Sequence, residues 1–314
     1  MALQRIIIDT DIGSDIDDAM ALALAVRSPE IQLEGVTTVY GDVDLRAKMA
    51  KKMLQLGNRD DVRVYAGINN PLLNNREIWM AGHEGIGLLT DEDVIEYDDR
   101  HAVDFIIETV TNNPGEITLV TIGPLTNIAA SIIREPKVAD HVKEIIMMGG
   151  VTRFGEMGPE LRLVEHNIVC DPEAASVVFR SGAPIVMVGL DVTLKVIITE
   201  EERRRLHETG DPMNMALSRM MKKWFEYNNE QHTYMHDPLT VALVLDRSLV
   251  KTKKMNVQVE YDHRLRTGQT LATISEYGNV DVCIDVEEDR FIELLLNHLV
   301  TEKSGDNFKY KGVK

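Results

Sequence analysis

Short runs of Val, Ile and Leu alternate with longer helix-like stretches along most of this chain, and this alternation constrains the fold more than any other feature. The runs are apolar throughout, which is typical of strands buried on both faces. We predict strands at 5–9, 32–38, 62–66, 117–122, 144–148 and 185–189. Helical patterns lie between several of them, at 18–27, 45–56, 103–112, 126–134 and 172–180. The order predicts an α/β fold with a mostly parallel sheet and helices on both faces.

The second half of the chain is more strongly helical in pattern. Residues 199–234 are highly charged and predict helix, followed by another helix from about 238 to 245. Late strands are predicted at 257–260 and 270–274, and a closing helix at 287–299. We therefore expect a small helical lobe beside the sheet. Without a repeat, a low-complexity linker or a shift in composition, the simplest prediction is a single domain over residues 1–314.

The net charge of −17 at pH 7 excludes some partners. Phosphate backbones and anionic membrane surfaces are themselves negative, so we expect neither nucleic-acid binding nor membrane association. The longest apolar runs fall short of the roughly 20 residues that span a bilayer, and the N-terminal one is too short for a signal-peptide core. We expect a cytoplasmic protein that binds a small molecule. Cys170 and Cys283 form no spaced pattern and are predicted to be buried thiols.

An acidic loop follows the first predicted strand, with the sequence DTDIGSDIDDA at 9–19. Its five carboxylates belong to Asp9, Asp11, Asp15, Asp17 and Asp18. They repel one another unless a cation or several hydrogen-bond donors compensate. Oxygen ligands suit Ca²⁺ or Mg²⁺, and calcium is favoured where several carboxylates and carbonyls converge. Capping of the next helix would explain one aspartate but not five, so we predict a metal site.

Five segments in a fixed order resemble the signatures of the inosine-uridine preferring nucleoside hydrolase family. The acidic loop resembles the family's Asp-Thr-Asp-Pro-Gly-x-Asp-Asp-Ala signature, with two additional residues. Later segments resemble its Gly-Pro-Leu-Thr-Asn turn, its Met-Gly-Gly strand end, its Glu-Phe-Asn and Asp-Pro-Glu-Ala-Ala run and its His-Asp pair; here they lie at 123–127, 148–150, 165–175 and 236–237. The resemblance implies a Rossmann-like hydrolase that splits the N-glycosidic bond of ribonucleosides, giving ribose and the free base.

The resemblance further implies a bound Ca²⁺ that holds a water and the ribose 2′- and 3′-hydroxyls. Carried over by position, its ligands are Asp11, Asp18, Asp237 and the backbone carbonyl of Ile122. Asp17 is assigned as the general base, because residues 17–19 superpose on the Asp-Asp-Ala of the family. Asp15 has the spacing of the shorter signature and stays an alternative base. Asp9 is expected to lie outside the ligand set and to hold the ligands in position.

Substrate contacts are implied in the same way. Glu165 and Asn167 match residues that contact the ribose hydroxyls, and Asp42 stands where many relatives carry asparagine. His236 is the candidate acid for the departing base, because an unperturbed histidine titrates near pH 6.5. Four residues near these motifs receive no assigned role: Trp79, His83, His166 and Trp224.

Several alternatives stay open at the level of sequence. The substrate could be another N-ribosyl compound, such as a nicotinamide riboside. A haloacid dehalogenase-type phosphatase also ends a strand in Asp-x-Asp, but it does not predict the later segments. A calcium-containing ribose-binding protein without turnover would need neither Asp17 nor His236. Base preference, the preference for ribose or deoxyribose, and subunit number are not encoded in these patterns, and a homo-oligomer, a dimer or tetramer, is expected by resemblance alone.

Overall fold

Nine strands form one sheet in the computed structural model, which describes residues 3–262 and 267–300. In chain order the strands of the structure are β1 (Gln4–Thr10), β2 (Ile31–Thr38), β3 (Val64–Ala66), β4 (Ile117–Thr121), β5 (Glu144–Met148), β6 (Ile185–Val188), β7 (Ile197–Thr199), β8 (His232–Tyr234), β9 (Val250–Val259), β10 (Thr270–Ile274) and β11 (Val280–Val286). The large sheet has the order β10-β9-β11-β6-β5-β4-β1-β2-β3, and β7 and β8 form a separate antiparallel pair. Only the pairings of β9 with its two neighbours are antiparallel within the large sheet. The predicted mostly parallel α/β sheet is confirmed.

Helices cover both faces of this sheet. They are α1 (Asp17–Arg27), α2 (Val43–Leu56), α3 (Ala102–Asn112), α4 (Thr126–Arg134), α5 (Lys137–His141), α6 (His166–Cys170), α7 (Pro172–Phe179), α8 (Leu190–Thr193), α9 (Glu200–Glu208), α10 (Pro212–Asn228), α11 (His236–Leu245) and α12 (Glu288–Val300). Two 3-10 turns, Gly158–Glu160 and Arg247–Leu249, complete the regular structure. The predicted helical lobe corresponds to α9 and α10, which pack on each other beside the β7–β8 pair.

Alternate residues of the central strands belong to two separate apolar clusters. In β1, Ile6 and Ile8 join the cluster that contains α1, α2, α10, α11 and α12, whereas Ile7 joins the cluster that contains α3, α4 and α7. All three isoleucines are fully buried. Burial on both faces is the reason that these strands read as unbroken apolar runs rather than as an alternating pattern.

Two sequence predictions are wrong in the second half of the chain. Residues 232–234 were predicted helical, but they form β8, because pairing with β7 supplies the backbone hydrogen bonds that a helix would otherwise provide. The strand β11 was not predicted, and β9 begins at Val250 rather than at 257. The first half of β9 exposes Lys251, Lys253 and Lys254, which obscures its strand pattern.

The structure also bears on the predictions made for the two cysteines and for membrane spans. Cys170 and Cys283 are both buried free thiols, as predicted. Within the described ranges, every helix is too short or too polar to cross a bilayer.

The closing helix α12 is held by a fully buried aromatic side chain, Phe291. We expect Phe291→Ala to lower the free energy of unfolding by about 3–5 kcal/mol, because it removes a large apolar group and leaves a cavity. Urea unfolding followed by circular dichroism measures this change. The control is Glu293→Ala on the exposed side of the same helix, which should change stability by less than about 0.5 kcal/mol. Equal effects of the two substitutions would contradict the packing of α12.

Candidate active site

Three carboxylates from two distant parts of the chain meet beyond the carboxyl ends of the central strands. Asp17, Asp18 and Asp237 are buried, and each offers an oxygen within 4.8 Å of the other two. Asp17 and Asp18 form the first turn of α1, and Asp237 lies in the first turn of α11. The packing of α1 against α11 brings them together. The site therefore lies at the edge of the sheet where α/β folds bind their ligands.

Only part of the charge of these carboxylates is compensated by the protein. Thr10 donates its hydroxyl proton to Asp18 Oδ1 at 2.5 Å, and the backbone N–H of Asp237 lies 3.4 Å from Asp17 Oδ2. Both helix N-termini add a favourable dipole. The nearby cation is Arg46, which is fully buried and donates to the carbonyls of Tyr40 and Ile12 at 2.7 and 2.9 Å.

The pKa values of these carboxylates reflect their burial first and their mutual repulsion second. Burial and the neighbouring carboxylates raise the pKa of Asp17, Asp18 and Asp237 well above the usual range. Burial, with help from Asp18 and Asp11, raises the pKa of Asp15 to about 8. Such shifts mean that, without a cation, these buried carboxylates keep protons that exposed carboxylates in water would lose.

Asp9 stands behind the acidic group, at the end of β1. One of its oxygens, Oδ1, accepts from Thr37 at 2.5 Å and from the side-chain amide of Asn127 at 2.8 Å. The other oxygen is buried without a partner among the described residues. Burial raises the pKa of Asp9 to about 7. Asn127 also donates to the carbonyl of Thr38 and accepts from the amide of Ile68, so it fixes Asp9 against β2.

Helix capping does not explain the aspartates. The N-cap residue of α1 is Ile16, and no side chain caps that end. Asp15 accepts from the adjacent amide of Ile16 at 2.5 Å, outside a capping arrangement. Both Asp15 and Asp17 line the same cavity, so the choice between them as base stays open at the level of position.

The other predicted ligands lie on the wall of the same cavity. Asp11 lines it but is not a member of the close group of three carboxylates. The absent side chain of Gly123 makes room for it, since a Cβ there would lie 2.8 Å from Asp11 Oδ1. Ile122 follows β4, and its carbonyl oxygen accepts from Asn167 Nδ2 at 3.1 Å. A carbonyl has two lone pairs, so one remains for a cation.

Glu165 and Asn167 are buried together at the start of α6 and line the cavity. The Glu165 carboxylate accepts from the backbone amides of Asn167, Ile168 and Gly150 at 2.7, 3.1 and 2.9 Å. It therefore caps the helix as well as lining the cavity. Burial is the main cause that raises its pKa, against the effect of those amides.

The structure does not bring Asp42 to this group. Its carboxylate is exposed and accepts from the backbone amide of Leu45 at 2.9 Å, which makes it the N-cap of α2. Asp42 is not among the residues that line the cavity. A ribose contact by this side chain stays a prediction.

His236 lines the cavity next to Asp237, and its ring is oriented by a threonine. Nδ1 lies 2.7 Å from the hydroxyl of Thr193, the last residue of α8. Burial lowers the pKa of His236 to about 4, and the charge of Arg162 contributes to this shift. The ring is therefore neutral at pH 7 and binds a proton less readily than the unperturbed histidine assumed from the sequence. When Thr193 donates to Nδ1, the remaining proton is on Nε2.

The cavity has a volume of about 610 Å³, which suits a nucleoside-sized ligand. Acidic residues line one part of its wall, and Trp79, His166 and Trp224 contribute aromatic surface. The rings of Trp79 and His166 meet edge to face with centroids 5.4 Å apart. Trp224 donates to the hydroxyl of Thr233 at 3.0 Å. His83 lies nearby but does not line this cavity.

Sequence reasoning missed several residues of the site. Arg162 is the only lysine or arginine among the lining residues, and it makes no hydrogen bond or ion pair within the described ranges. Arg46 and Thr193 were also missed, because they reach the site through contacts with Ile12 and His236, which are distant in sequence. Thr10 lies within the acidic loop and donates to Asp18. A lone arginine or threonine carries no pattern that could have identified it.

The donor set fits a hard divalent cation. Every candidate ligand is an oxygen, from a carboxylate or a carbonyl, and sulfur and imidazole nitrogen are absent from the close group in the described chain. The unpartnered oxygen of Asp9 and the raised pKa values both indicate uncompensated negative charge. This chemistry suits calcium or magnesium better than zinc or copper.

Comparison with known proteins agrees with this geometry. The family model for inosine-uridine preferring nucleoside hydrolase matches residues 6–293. Inosine-uridine preferring nucleoside hydrolases from Crithidia fasciculata and Leishmania major are 34% and 33% identical to this chain, and each match covers 96% of it and 99% of the relative. A solved plant nucleoside hydrolase matches with a TM-score of 0.83 at 31% identity, covering 95% of this chain and 99% of that one.

These matches extend over nearly the whole chain and include both the acidic loop and the His236-Asp237 pair. They confirm the resemblance found in the sequence motifs. The chain belongs to the inosine-uridine preferring nucleoside hydrolase family.

Proposed function

We propose that this protein is a calcium-dependent ribonucleoside hydrolase, which uses water to split the bond between ribose and a nucleobase. One observation carries the proposal: Asp17, Asp18 and Asp237 converge inside a cavity of nucleoside size in a chain of this family. The relatives' names include a purine and a pyrimidine nucleoside, so both kinds of base belong in the first tests.

The metal would be held by Asp11, Asp18, Asp237 and the carbonyl of Ile122. Asp18 and Asp237 are close to each other, and Asp11 and Ile122 lie on the same cavity wall. When bound, calcium would supply a Lewis acid that makes an adjacent water easier to deprotonate and orients the sugar hydroxyls. The raised pKa values support a cation there, because a positive charge would favour the ionised carboxylates that burial and the neighbouring carboxylates disfavour.

Asp17 is the proposed general base. Its carboxylate is in the group of three and accepts two long backbone contacts, from the amide of Asp18 to Oδ1 at 3.2 Å and from the amide of Asp237 to Oδ2 at 3.4 Å. Each oxygen keeps a lone pair that can accept a proton from water. Asp15 is less well placed, because it lies outside the group of three and its Oδ1 is held at 2.5 Å by the amide of Ile16. General-base assistance of this kind contributes typically ~10²–10⁴-fold to rate.

Glu165 and Asn167 would hold the ribose. Asn167 donates to the carbonyls of Ile122 and Met148, which leaves its side-chain oxygen for a sugar hydroxyl. Glu165 is fixed by three backbone amides and cannot move far. Because Glu165 and Asn167 are already fixed, they can orient the anomeric carbon of the ribose toward the general base, Asp17, without further ordering of side chains.

The departing base gathers negative charge as the bond breaks. His236 can donate a hydrogen bond from Nε2 when Thr193 donates to Nδ1, so a neutral ring still assists departure. Arg162 adds a permanent positive charge that no residue of the described chain neutralises by direct contact. These two groups together stabilise the leaving base.

The first experiment measures release of reducing sugar from a panel of purine and pyrimidine ribonucleosides and nicotinamide riboside. We expect release with calcium, loss on chelation and recovery when calcium is added back. Phosphate release from phosphorylated compounds with magnesium, and no sugar from any nucleoside, would instead support a phosphatase. Binding without turnover on every substrate would indicate a ribose-binding protein.

Calcium affinity should rise as pH increases from 5 to 8. The pKa values of the proposed ligands Asp18 and Asp237 are raised, so at low pH protons occupy the oxygens that would bind the cation. Deprotonation removes that competition, which fixes the sign of the change. Isothermal titration with calcium at several pH values measures it. An affinity independent of pH over this range would show that the carboxylates are not the ligands.

Replacing Asp17 by asparagine should lower kcat by about 100-fold or more, since the amide cannot accept the proton from water. Calcium binding should change much less, because Asp17 is not assigned as a ligand. The matched control is Asp15→Asn, which we expect to retain most activity. Loss of turnover in Asp15→Asn, with Asp17→Asn active, would transfer the base assignment to Asp15.

Replacing His236 by alanine should lower kcat for nucleosides by about 10²-fold, because the leaving base loses a hydrogen-bond donor. A riboside with a 4-nitrophenolate leaving group needs no such donor, so its hydrolysis should change little. Steady-state kinetics on the two substrates, with Thr240→Val on the same helix as a control, separate the effects. Equal losses on both substrates would assign His236 a role in folding or metal binding instead.

A further inference from the structure

A segment at 79–87 begins at the cavity wall, which Trp79 lines, and is tied to the acidic loop by one carboxylate. We call residues 79–87 the cover segment. Glu84 Oε1 accepts from the hydroxyl of Ser14 at 2.8 Å and from the backbone amide of Ala81 at 2.6 Å, and Glu84 Oε2 accepts from the amide of Gly82 at 2.8 Å. The ring Nε2 of His83 lies 3.0 Å from the carbonyl oxygen of Ser14. Ser14 thus contacts the cover segment through both its side chain and its backbone.

Ser14 lies in the acidic loop between Asp11 and Asp17, in the part of the loop that is two residues longer than the short family signature. Gly13, next to it, has a φ of +127°, and a Cβ there would lie 2.8 Å from Met49 and 3.3 Å from the Glu84 side chain. The longer loop is therefore built to approach Glu84 closely.

The cover segment carries aromatic surface to the cavity. At its start, the backbone amide of Trp79 donates to the hydroxyl of Tyr40 at 2.9 Å, and the Trp79 ring lines the cavity. In its middle, the His83 ring packs on Tyr227 and Trp224, with centroids 5.0 and 6.1 Å apart. Trp224 in turn lines the cavity from α10.

The far end of the cover segment is held more weakly. Arg219 Nε donates to the carbonyl of Gly87 at 2.9 Å, and this is an exposed bond. The Ser14–Glu84 contact is therefore the main polar tie between the segment and the part of the site that holds the acidic residues. No helix or strand includes residues 79–87, so side-chain bonds contribute much of what fixes the segment against the rest of the protein.

We propose that Ser14 and Glu84 are positioning residues that hold the cover segment, and with it Trp79 and the Trp224 contact, across the aromatic wall of the cavity. The inference rests on the proposed function, because the wall is taken to receive the nucleobase. Aromatic faces bind planar bases best when their position is fixed before binding. We call the Ser14–Glu84 contact the clamp. It acts on the nucleobase and not on the ribose, which the acidic loop, Glu165 and Asn167 hold independently.

The kinetic test compares Ser14→Ala and Glu84→Gln with the wild type. We expect KM for nucleosides to rise about tenfold, the equivalent of losing roughly one charge-assisted hydrogen bond, with a smaller change in kcat. The inhibition constant of free D-ribose should stay unchanged, since ribose has no base to meet the wall. Thr90→Val, which removes a hydroxyl bond to Asp93 just beyond the segment, is the matched control and should leave KM unchanged.

Two outcomes would overturn the clamp. A nucleoside KM equal to that of the wild type in both variants would show that the wall does not depend on it. A ribose inhibition constant that rises together with KM would show that Ser14 acts on the acidic loop instead. In the double variant Ser14→Ala/Glu84→Gln, KM should be no higher than in the more impaired single variant, because both substitutions act on the same contact. Additive effects would contradict a shared contact.

A second measurement needs no turnover and separates this inference from the proposed function. Amide hydrogen exchange should be faster at Ala81 and Gly82 in Glu84→Gln, which loses one of the two acceptor oxygens, and at the same amides in Ser14→Ala. Faster exchange in a protein that hydrolyses no nucleoside would support the Ser14–Glu84 contact and reject nucleosides as the substrates. Unchanged exchange at both amides would reject the clamp whatever the activity.

Discussion

Burial of several carboxylates at one strand end is the constraint on which the rest of the site depends. Two unit charges about 4 Å apart repel by about 4 kcal/mol at an effective dielectric constant of 20. A typical hydrogen bond contributes only about 0.5–1.5 kcal/mol net. The hydroxyl of Thr10 and the amide of Asp237 therefore cannot offset the repulsion among Asp17, Asp18 and Asp237. Either protons or a cation must, and an oxygen-only site of this kind favours a cation at neutral pH.

The parallel sheet is what makes such a cluster possible. Strands β6, β5, β4 and β1 lie side by side and point the same way, so the segments that follow them open at one edge. The acidic loop follows β1, Ile122 follows β4, and Thr193 lies a few residues beyond β6. Asp237 is supplied from a distant part of the chain by the packing of α11 on α1. Because apolar clusters fill both faces of the sheet, the loops at this edge have a rigid base.

Local patterns in the sequence were sufficient for the central strands, most helices and the acidic loop, because each is encoded by a contiguous pattern of burial or charge. β8 was missed because three residues acquire their strand conformation from a partner more than thirty positions away. The role of Asp42 as the N-cap of α2 was not predicted, because it depends on one backbone amide three residues later. The lowered pKa of His236 depends on burial, which no neighbouring residue in sequence reveals.

Two parts of the cavity differ in how they are held. The acidic part is built from strand ends and the first turns of α1 and α11, which are fixed by the core on both faces of the sheet. The aromatic part includes the cover segment, which lies outside regular structure and is fixed by side-chain bonds such as that between Ser14 and Glu84. Substitutions in the aromatic part can therefore alter which base fits without disturbing the carboxylates that would carry the chemistry. A fold that separates the two in this way can keep one reaction while its base preference changes.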